Sequence, residues 1–365
     1  MSVKALYKRV VIKIGSNVLA NADATLNIDI MSSLVNQIAE LRASGVQVIL
    51  VSSGAVASGR SELKHLITRK MDAVSERQLF SSVGQAKLIN RYYDLFAEHN
   101  IVCGQVLTTK ESLSTRDHYL NQRNCMGVML DNGVIPIINE NDTISVTELM
   151  FTDNDELSGL VSTMMGAEAL IILSNVDGIY NGNPNEEGTE VITEILPEHR
   201  DLTQYIQAGK SNFGRGGMLT KTRIASKVAD QGVEVIIANG KSSNILEELI
   251  LSHDAITCTR FVPSVKPVSG VKKWIAHSEG FAKGELHINQ GAMDALLKPD
   301  AVSLLPVGVE RVEGEFEKDD IVKIISPEGS QIGVGKTAYD SAEAKKIVGE
   351  KGAKAMIHYD YLYLD

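Results

Sequence analysis

Two lysines stand out, one within an apolar strand and one at the start of a polar helical run. Lys13 lies within the apolar run 10–14, and Lys221 follows the glycine-rich segment 214–217. Burying an ammonium group is costly unless an anion compensates it, and phosphate is an anion that backbone N–H groups of a glycine-rich turn also bind. The two lysines therefore favour phosphate binding, the alternative being lysines that extend to solvent from a strand edge or a helix face.

Carboxylates are concentrated in two short segments further along the chain. Glu140 and Asp142 lie in the first, and Asp153 and Asp155 flank Asn154 in the second. Such density suits a metal ion or a cationic amine. Helix capping and turn formation, which Asp and Asn also favour, are the alternative.

Small residues follow two of the apolar runs. Gly15 and Ser16 follow the first, and Ser53 and Gly54 follow the second. Glycine lets a backbone N–H approach an anion closely, and serine adds a hydroxyl donor. One such pair indicates only a tight turn, but together with the lysines and carboxylates these pairs favour a site for phosphoryl transfer.

The elements that must position these residues alternate between strands and helices. Apolar runs bounded by Gly, Ser or Asn predict buried strands, at 10–14, 46–51, 101–107, 134–138, 169–173 and 233–238. Helical periodicity lies between them, for example at 30–44, so we expect an α/β fold: a three-layer αβα sandwich with a mostly parallel central sheet. Ligands bind at the carboxyl ends of such strands, which most of the candidate residues follow.

The pattern changes after about residue 260. The segment 261–270 contains two prolines and predicts a linker, which we place at 261–273, between a catalytic domain at 1–260 and a small β-rich domain at 274–365. Short runs separated by glycine-containing turns predict strands there, at 284–288, 302–305, 321–325 and 331–337.

Composition limits the class of protein. A net charge of −10 makes nonspecific binding to nucleic acid unfavourable. The three cysteines are too scattered for a disulfide framework or a zinc site. The chain contains neither an apolar run long enough to cross a membrane nor an amino-terminal signal pattern, so we expect a cytoplasmic protein without a membrane partner.

The motifs that contain these residues resemble those of the glutamate 5-kinases, of the amino acid kinase family, over nearly the whole chain. VVIKIGSNVL, VSSGAVASG, PIINENDT, FTDNDELSGL, DGIY and GRGGMLTK occur in that family's order. The β-rich tail is similar to the PUA domain that many bacterial members carry. The resemblance implies the amino acid kinase fold followed by a small PUA-like barrel.

The resemblance also implies an activity. It is the ATP-dependent phosphorylation of the side-chain carboxylate of L-glutamate to L-glutamyl 5-phosphate, the first step of proline biosynthesis. Mg²⁺ would accompany ATP, and we name no protein ligand for it. A homo-oligomer, either a dimer or a tetramer, and inhibition by L-proline are further expectations from the resemblance.

By position in the motifs, the resemblance assigns three kinds of site residue. The catalytic residues would be Lys13, Lys221 and Asp155, the last holding both ammonium groups. The glutamate-binding residues would be Ser53, Asp142, Asn154 and Asp153. The nucleotide-binding residues would be Lys13, Gly15, Ser16, Ser174, Asn175, Arg215, Gly216, Gly217, Met218 and Lys221.

Other functions fit parts of the pattern. Acetylglutamate kinase, aspartokinase, uridylate kinase and carbamate kinase share the arrangement of lysines and glycines. The two carboxylate-rich segments and the PUA-like tail occurring together favour glutamate 5-kinase. An RNA-binding PUA protein is the alternative from another class, but acidic residues outnumber Lys and Arg in the tail, which disfavours it.

Overall fold

The computed structural model describes residues 5–21, 23, 25–67, 70–113, 115–144, 154–183, 186, 188–200, 202, 217–252, 256–265, 270–298 and 302–364. The chain divides into two compact units, Met1–Lys266 and Pro267–Asp365, each with its own hydrophobic core. Every helix within the described ranges is too short or too polar to span a lipid bilayer.

The first unit alternates strands with helices. Its strands are β1 (Arg9–Ile14), β2 (Gln47–Ser52), β3 (Cys103–Thr108), β4 (Ile135–Glu140), β5 (Ala169–Ser174), β6 (Glu194–Ile195), β7 (Glu234–Asn239) and β8 (Thr259–Phe261). Its α-helices, in the described residues, are α1 (Ser16–Leu19), α2 (Ile28–Ala43), α3 (Ala55–Leu63), α4 (Ala73–Ala97), α5 (Arg116–Asp131), α6 (Asn154–Met165), α7 (Met218–Asp230) and α8 (Ile245–Ile250).

These strands form one sheet in the order β3-β4-β2-β1-β5-β7-β8-β6. The pairs from β3 through β7 are parallel, whereas β8 runs antiparallel to β7. The six strands predicted for this unit are confirmed to within two residues at each end. The short strands β6 and β8 were not predicted, because two or three residues are too few to show a pattern.

Alternation along β1 assigns its side chains to opposite faces of the sheet. Val10, Ile12 and Ile14 belong to the core that contains the buried stripes of α2 and α4. Because successive side chains in a strand point to opposite faces, Lys13 lies on the other face. There α6 packs against β1, so the register of β1 directs Lys13 towards that helix.

Two glycines allow α3 and α4 to pack at unusually close range. A Cβ on Gly84 would lie 1.8 Å from the backbone oxygen of Ala55, and a Cβ on Gly59 would lie 1.8 Å from that of Phe80. Since no side chain fits at either position, the contact fixes α4 against α3. The segment Ser53–Gly54 leads directly into α3, so this packing also holds the loop after β2.

The second unit is β-rich, as predicted. Its described strands are β9 (Gly284–Ile288), β10 (Val309–Gly314), β11 (Ile321–Ile325), β12 (Gln331–Lys336) and β13 (Leu362–Leu364), and its described α-helices are α9 (Gly270–Ala276), α10 (Gln290–Leu296) and α11 (Ser341–Ile347). The sheet order is β10-β9-β11-β12-β13. The strand predicted at 302–305 is wrong, because only Leu304 pairs there, as an isolated bridge to Ile357.

The division between the units falls inside the predicted linker, 261–273. At its amino end Phe261 is the last residue of β8 and is fully buried. The Ser264 N–H donates to the Ala229 carbonyl oxygen, and α9 begins at Gly270. Part of the predicted linker therefore belongs to regular structure, and the functional domain limits stay a prediction.

Candidate functional site

The candidate residues converge where the parallel strands end. Ser53 directly follows β2, Asp142 lies just beyond β4, and Ser174 ends β5. The Ser53 N–H donates to the Ile14 carbonyl oxygen at the end of β1, over 3.1 Å. Because these neighbouring strands are parallel, their ends lie on one edge of the sheet, which is the usual place for a ligand in this architecture.

At this edge Asp155 holds two lysines from two other elements. Asp155, in the first turn of α6, is fully buried. Its Oδ1 lies 2.5 Å from the Nζ of Lys13 on β1, and its Oδ2 lies 2.8 Å from the Nζ of Lys221 on α7. The arrangement holds two ammonium groups on either side of one carboxylate, and we refer to these three residues as the lysine clamp.

Charge balance explains how Asp155 remains ionised in the interior. Burial alone would raise its pKa, but the attraction of the Lys13 and Lys221 ammonium groups outweighs burial and lowers the pKa below the ordinary value. One carboxylate cannot neutralise two ammonium groups, so these three residues alone carry a net positive charge. Such a group is suited to receive an anion, and phosphate is the anion that the neighbouring backbone could also bind.

Asn154, which begins α6, connects this helix to two strands. Its Nδ2 donates to Ser53 Oγ over 2.9 Å and to Asn139 Oδ1 over 3.0 Å. The Asn139 amide in turn donates to Gln85 Oε1 on α4, over 2.8 Å. Two predicted substrate-binding residues, Ser53 and Asn154, are therefore in direct contact, and Asn139 and Gln85 support them from behind.

Asp142 lies in an ion-pair cluster that the sequence did not reveal. Arg77 of α4 donates through Nε to Asp142 Oδ1 over 2.8 Å, and its Nη2 lies 2.6 Å from the same oxygen. The same Nη2 lies 3.3 Å from Glu140 Oε2. Burial raises the pKa of Asp142 and Arg77 opposes that rise, with burial the stronger effect.

The predicted nucleotide-binding residues lie around the ends of β1 and β5 and at the start of α7. The Gly15 N–H donates to the Leu173 carbonyl oxygen over 3.1 Å. Ser16 is exposed on one side of this contact, while Ser174 and Asn175, on the other, are buried and half-buried. Gly217 is the N-cap of α7, and its position lacks a side-chain cap.

Another nucleotide-binding candidate, Met218, is the first residue of α7. Asp153, Arg215 and Gly216 lie outside the described residues. A helix start without a side-chain cap leaves its N–H groups available to an anion, and Lys221 is in the same turn. The position of α7 is therefore compatible with the predicted role of Gly217 and Met218.

Sequence reasoning missed Arg77, Gln85 and Asn139. Asn139 lies within the carboxylate-rich segment, and its position at the end of a buried strand could have marked it as a polar residue that needs partners. Arg77 and Gln85 are on a long helix with many polar residues. Only their hydrogen bonds to residues in and just after β4 distinguish them from exposed residues.

Two solved structures share the fold of the first unit. Carbamate kinase from Giardia lamblia bound to AMP-PNP aligns with a TM-score of 0.51 and 16% identity, over 71% of this chain and 99% of that one. UMP kinase from Bacillus anthracis aligns with a TM-score of 0.50 and 16% identity, over 71% and 97%. At these identities the likeness concerns the fold alone.

Two glutamate 5-kinases are similar to this chain over nearly its whole length. A glutamate 5-kinase from Bacteroides thetaiotaomicron is 65% identical over 99% of this chain and 100% of its own, and one from Chlorobaculum tepidum is 46% identical over 98% of both. The model of the amino acid kinase family matches residues 8–239, and that of the PUA domain matches residues 284–359. The chain therefore belongs to the amino acid kinase family, among its glutamate 5-kinases, and carries a PUA domain.

Proposed function

We propose that the protein transfers the γ-phosphoryl group of ATP to the side-chain carboxylate of L-glutamate, forming L-glutamyl 5-phosphate for proline biosynthesis. The observation that carries this proposal is the lysine clamp, which holds Lys13 and Lys221 on opposite oxygens of the fully buried Asp155. The names of the relatives support the choice of glutamate as the acceptor.

The proposed reaction needs no general base. The attacking carboxylate is already ionised at neutral pH, so the protein has to align it with the γ-phosphate and reduce the repulsion between two anions. Lys13 and Lys221 supply the positive charge, and Asp155 fixes both ammonium groups before the substrates arrive. Phosphoryl transfer depends mainly on such positioning and charge stabilisation.

One set of residues is proposed to bind glutamate and another set to bind the nucleotide. Ser53, Asn154 and Asp142 are proposed to hold glutamate, with Asp142 accepting from its α-ammonium group. Gly15, Ser16, Ser174, Asn175, Gly217 and Met218 are proposed to contact the nucleotide. Asp153, Arg215 and Gly216 keep the roles implied by their positions in the motifs.

We propose that Mg²⁺ enters with the nucleotide. Both oxygens of Asp155 contact lysines. Among the described residues, the lysine clamp is not part of any group of three side chains that could hold a metal ion. These residues fit a magnesium ion held mainly by the phosphates and by water. When bound, Mg²⁺ screens the phosphate charge.

The test is to trap the acyl phosphate. Incubation with L-glutamate, MgATP and hydroxylamine should give the γ-hydroxamate, with ADP released in equal amount. Parallel reactions with acetylglutamate, aspartate, UMP and carbamate should be much slower. ADP release without hydroxamate, or a preference for UMP, would contradict the proposal.

Three further properties stay predictions, the first made from the sequence and the other two from the family. Because ATP is a substrate, we propose that the protein works in the cytoplasm. Assembly into a homo-oligomer, dimer or tetramer, and inhibition by L-proline are testable by light scattering and by adding proline to the hydroxamate assay.

A further inference from the structure

The Arg77 guanidinium has hydrogen-bonding capacity that the described residues do not use. Its Nε and Nη2 contact Asp142 and Glu140, while Nη1 forms no hydrogen bond with a described residue. Arginine carries five N–H donors, so the two on Nη1 are available to another molecule. The Arg77 side chain is 29% exposed, which leaves one edge open to a ligand.

Asp142 has a matching free acceptor. Arg77 contacts only Oδ1 of this carboxylate, and Oδ2 accepts no hydrogen bond from any described residue. Asp142 is 7% exposed, so the free oxygen belongs to an almost buried group. The pair therefore presents unused donors on a cation beside an unused acceptor on an anion.

This arrangement is complementary to the head group of an α-amino acid, which carries a carboxylate and an ammonium group on one carbon. We propose that Arg77 binds the α-carboxylate of the substrate while Asp142 binds its α-ammonium group. The inference rests on the proposed function and adds to it a residue that recognises the other half of the head group. Guanidinium is well suited to this task because it matches the geometry of a carboxylate.

Hydrogen bonds from α4 to β4 and to the residues after it hold Arg77 at the site. Gln78 Nε2 donates to the Thr143 carbonyl oxygen over 2.9 Å, and Gln85 accepts from Asn139. Both residues follow Arg77 on α4 and lie on either side of the close α3–α4 contact at Gly84. An arginine held this firmly loses little freedom when it binds a ligand, which favours affinity.

The same contacts link the head-group site to the lysine clamp. Asn139 accepts from Asn154, and Asn154 directly precedes Asp155, which holds Lys13 and Lys221. A glutamate bound by Arg77 and Asp142 could thus extend its side chain along Asn154 towards the lysines. The two ends of the substrate would be recognised by different groups, with the phosphorylated carboxylate at the lysines.

The alternative is that Arg77 only holds Asp142 in place. Two analogues of glutamate separate the readings: 4-aminobutyrate lacks the α-carboxylate and glutarate lacks the α-ammonium group. Both are measured as competitive inhibitors against L-glutamate in the hydroxamate assay. Arg77→Gln should raise KM for glutamate and Ki for glutarate by about ten- to a hundredfold, as for a lost charged hydrogen bond, while Ki for 4-aminobutyrate stays nearly unchanged.

Asp142→Asn should give the reverse pattern, with 4-aminobutyrate weakened and glutarate unaffected. If Arg77 acts only through Asp142, Arg77→Gln will instead weaken 4-aminobutyrate and spare glutarate, and the inference is wrong. Arg91→Gln is the matched control, because Arg91 is on the same helix and forms no ion pair with a described residue. It should leave all three constants unchanged.

If neither analogue inhibits the reaction, a double variant tests whether Arg77 binds the α-carboxylate itself. When each residue binds its own group, the double variant should lose clearly more glutamate affinity than Asp142→Asn alone, although the two losses need not multiply fully because the residues are in contact. A double variant no worse than Asp142→Asn alone would overturn the inference. Absence of hydroxamate from the unaltered protein would instead refute the proposed function itself, so the two failures are distinguishable.

Discussion

Replacing Lys221 with alanine tests the lysine clamp most directly. The change removes one of the two ammonium groups on Asp155 and leaves Lys13 at 2.5 Å from the other oxygen. Since Asp155 keeps one partner, its charge is not left unpaired in the interior. We therefore expect a folded protein that has lost half of the positive charge meant for the transferred phosphoryl group.

Lys221→Ala should lower both the stability of the protein and its kcat, and the size of each loss can be estimated. Losing one charged hydrogen bond costs about 1.5–3 kcal/mol of stability, less than the 3–5 kcal/mol typical of a buried charge left wholly unpaired. The Lys221 side chain is 15% exposed, so solvent does little to screen this interaction. Removing one preorganised donor lowers kcat by about 10²–10³, or roughly 2.7–4 kcal/mol.

The assay is hydroxamate formation at saturating L-glutamate and MgATP, with thermal unfolding measured on the same preparation. Lys227→Ala is the matched control, because Lys227 lies in the last turn of the same helix, away from the strand ends. It should retain full kcat. A folded Lys221→Ala protein with a kcat close to that of the control would refute the role assigned to the clamp.

Three other predictions follow from the packing and the charges. Gly84→Ala should lower the melting temperature and raise KM for glutamate, because its Cβ would lie 1.8 Å from the Ala55 carbonyl oxygen. The control Gly127→Ala, at an open position on α5, should leave both unchanged or increase stability slightly. Equal effects of the two substitutions on melting temperature and KM would contradict this account. Burial raises the pKa of Asp142, whose charged neighbours are Arg77 and Glu140, so KM for glutamate should rise as the pH falls through that raised pKa. Arg77→Gln removes a cation that lowers this pKa and should shift the rise to higher pH, which a KM–pH series would test. A chain ending at residue 266 should keep glutamate-dependent turnover. A chain ending at residue 260 should unfold at lower temperature, because it lacks Phe261, a fully buried residue of β8. A folded but inactive 266-residue protein would show that the second unit contributes to catalysis.

Much of the fold could be predicted because its patterns are local. The buried strands are short apolar runs, and the stripe of α2, which includes Met31 and Leu34, repeats with helical period. Lys13 stood out for the same reason, since an ammonium group within a buried strand requires a partner. The structure places that lysine in contact with Asp155 and thereby brings the two predicted catalytic elements together.

What the sequence could not give depends on tertiary packing. Arg77 is one of several charged residues on α4, and its contacts with Asp142 and Glu140 depend on how that helix docks against β4. The strand predicted at 302–305 has suitable residues but forms only one bridge, because pairing requires a neighbour in register. Pattern alone does not reveal where such a neighbour lies.

The position of β1 has a consequence for how the protein is made. Of the described strands this one is synthesised first, yet it lies between β2 and β5 in the finished sheet. Asp155, which holds Lys13, arrives much later on α6, and Lys221, which shares that carboxylate, later still on α7. β1 can pair with β2 once that strand has emerged, but its other edge must wait for β5. Contacts between distant parts of a chain form slowly, so Lys13 lacks its carboxylate partner until α6 has been synthesised. Catalytic activity in a translation reaction should therefore appear only after α7 has emerged, and the nascent chain is exposed to aggregation until that point.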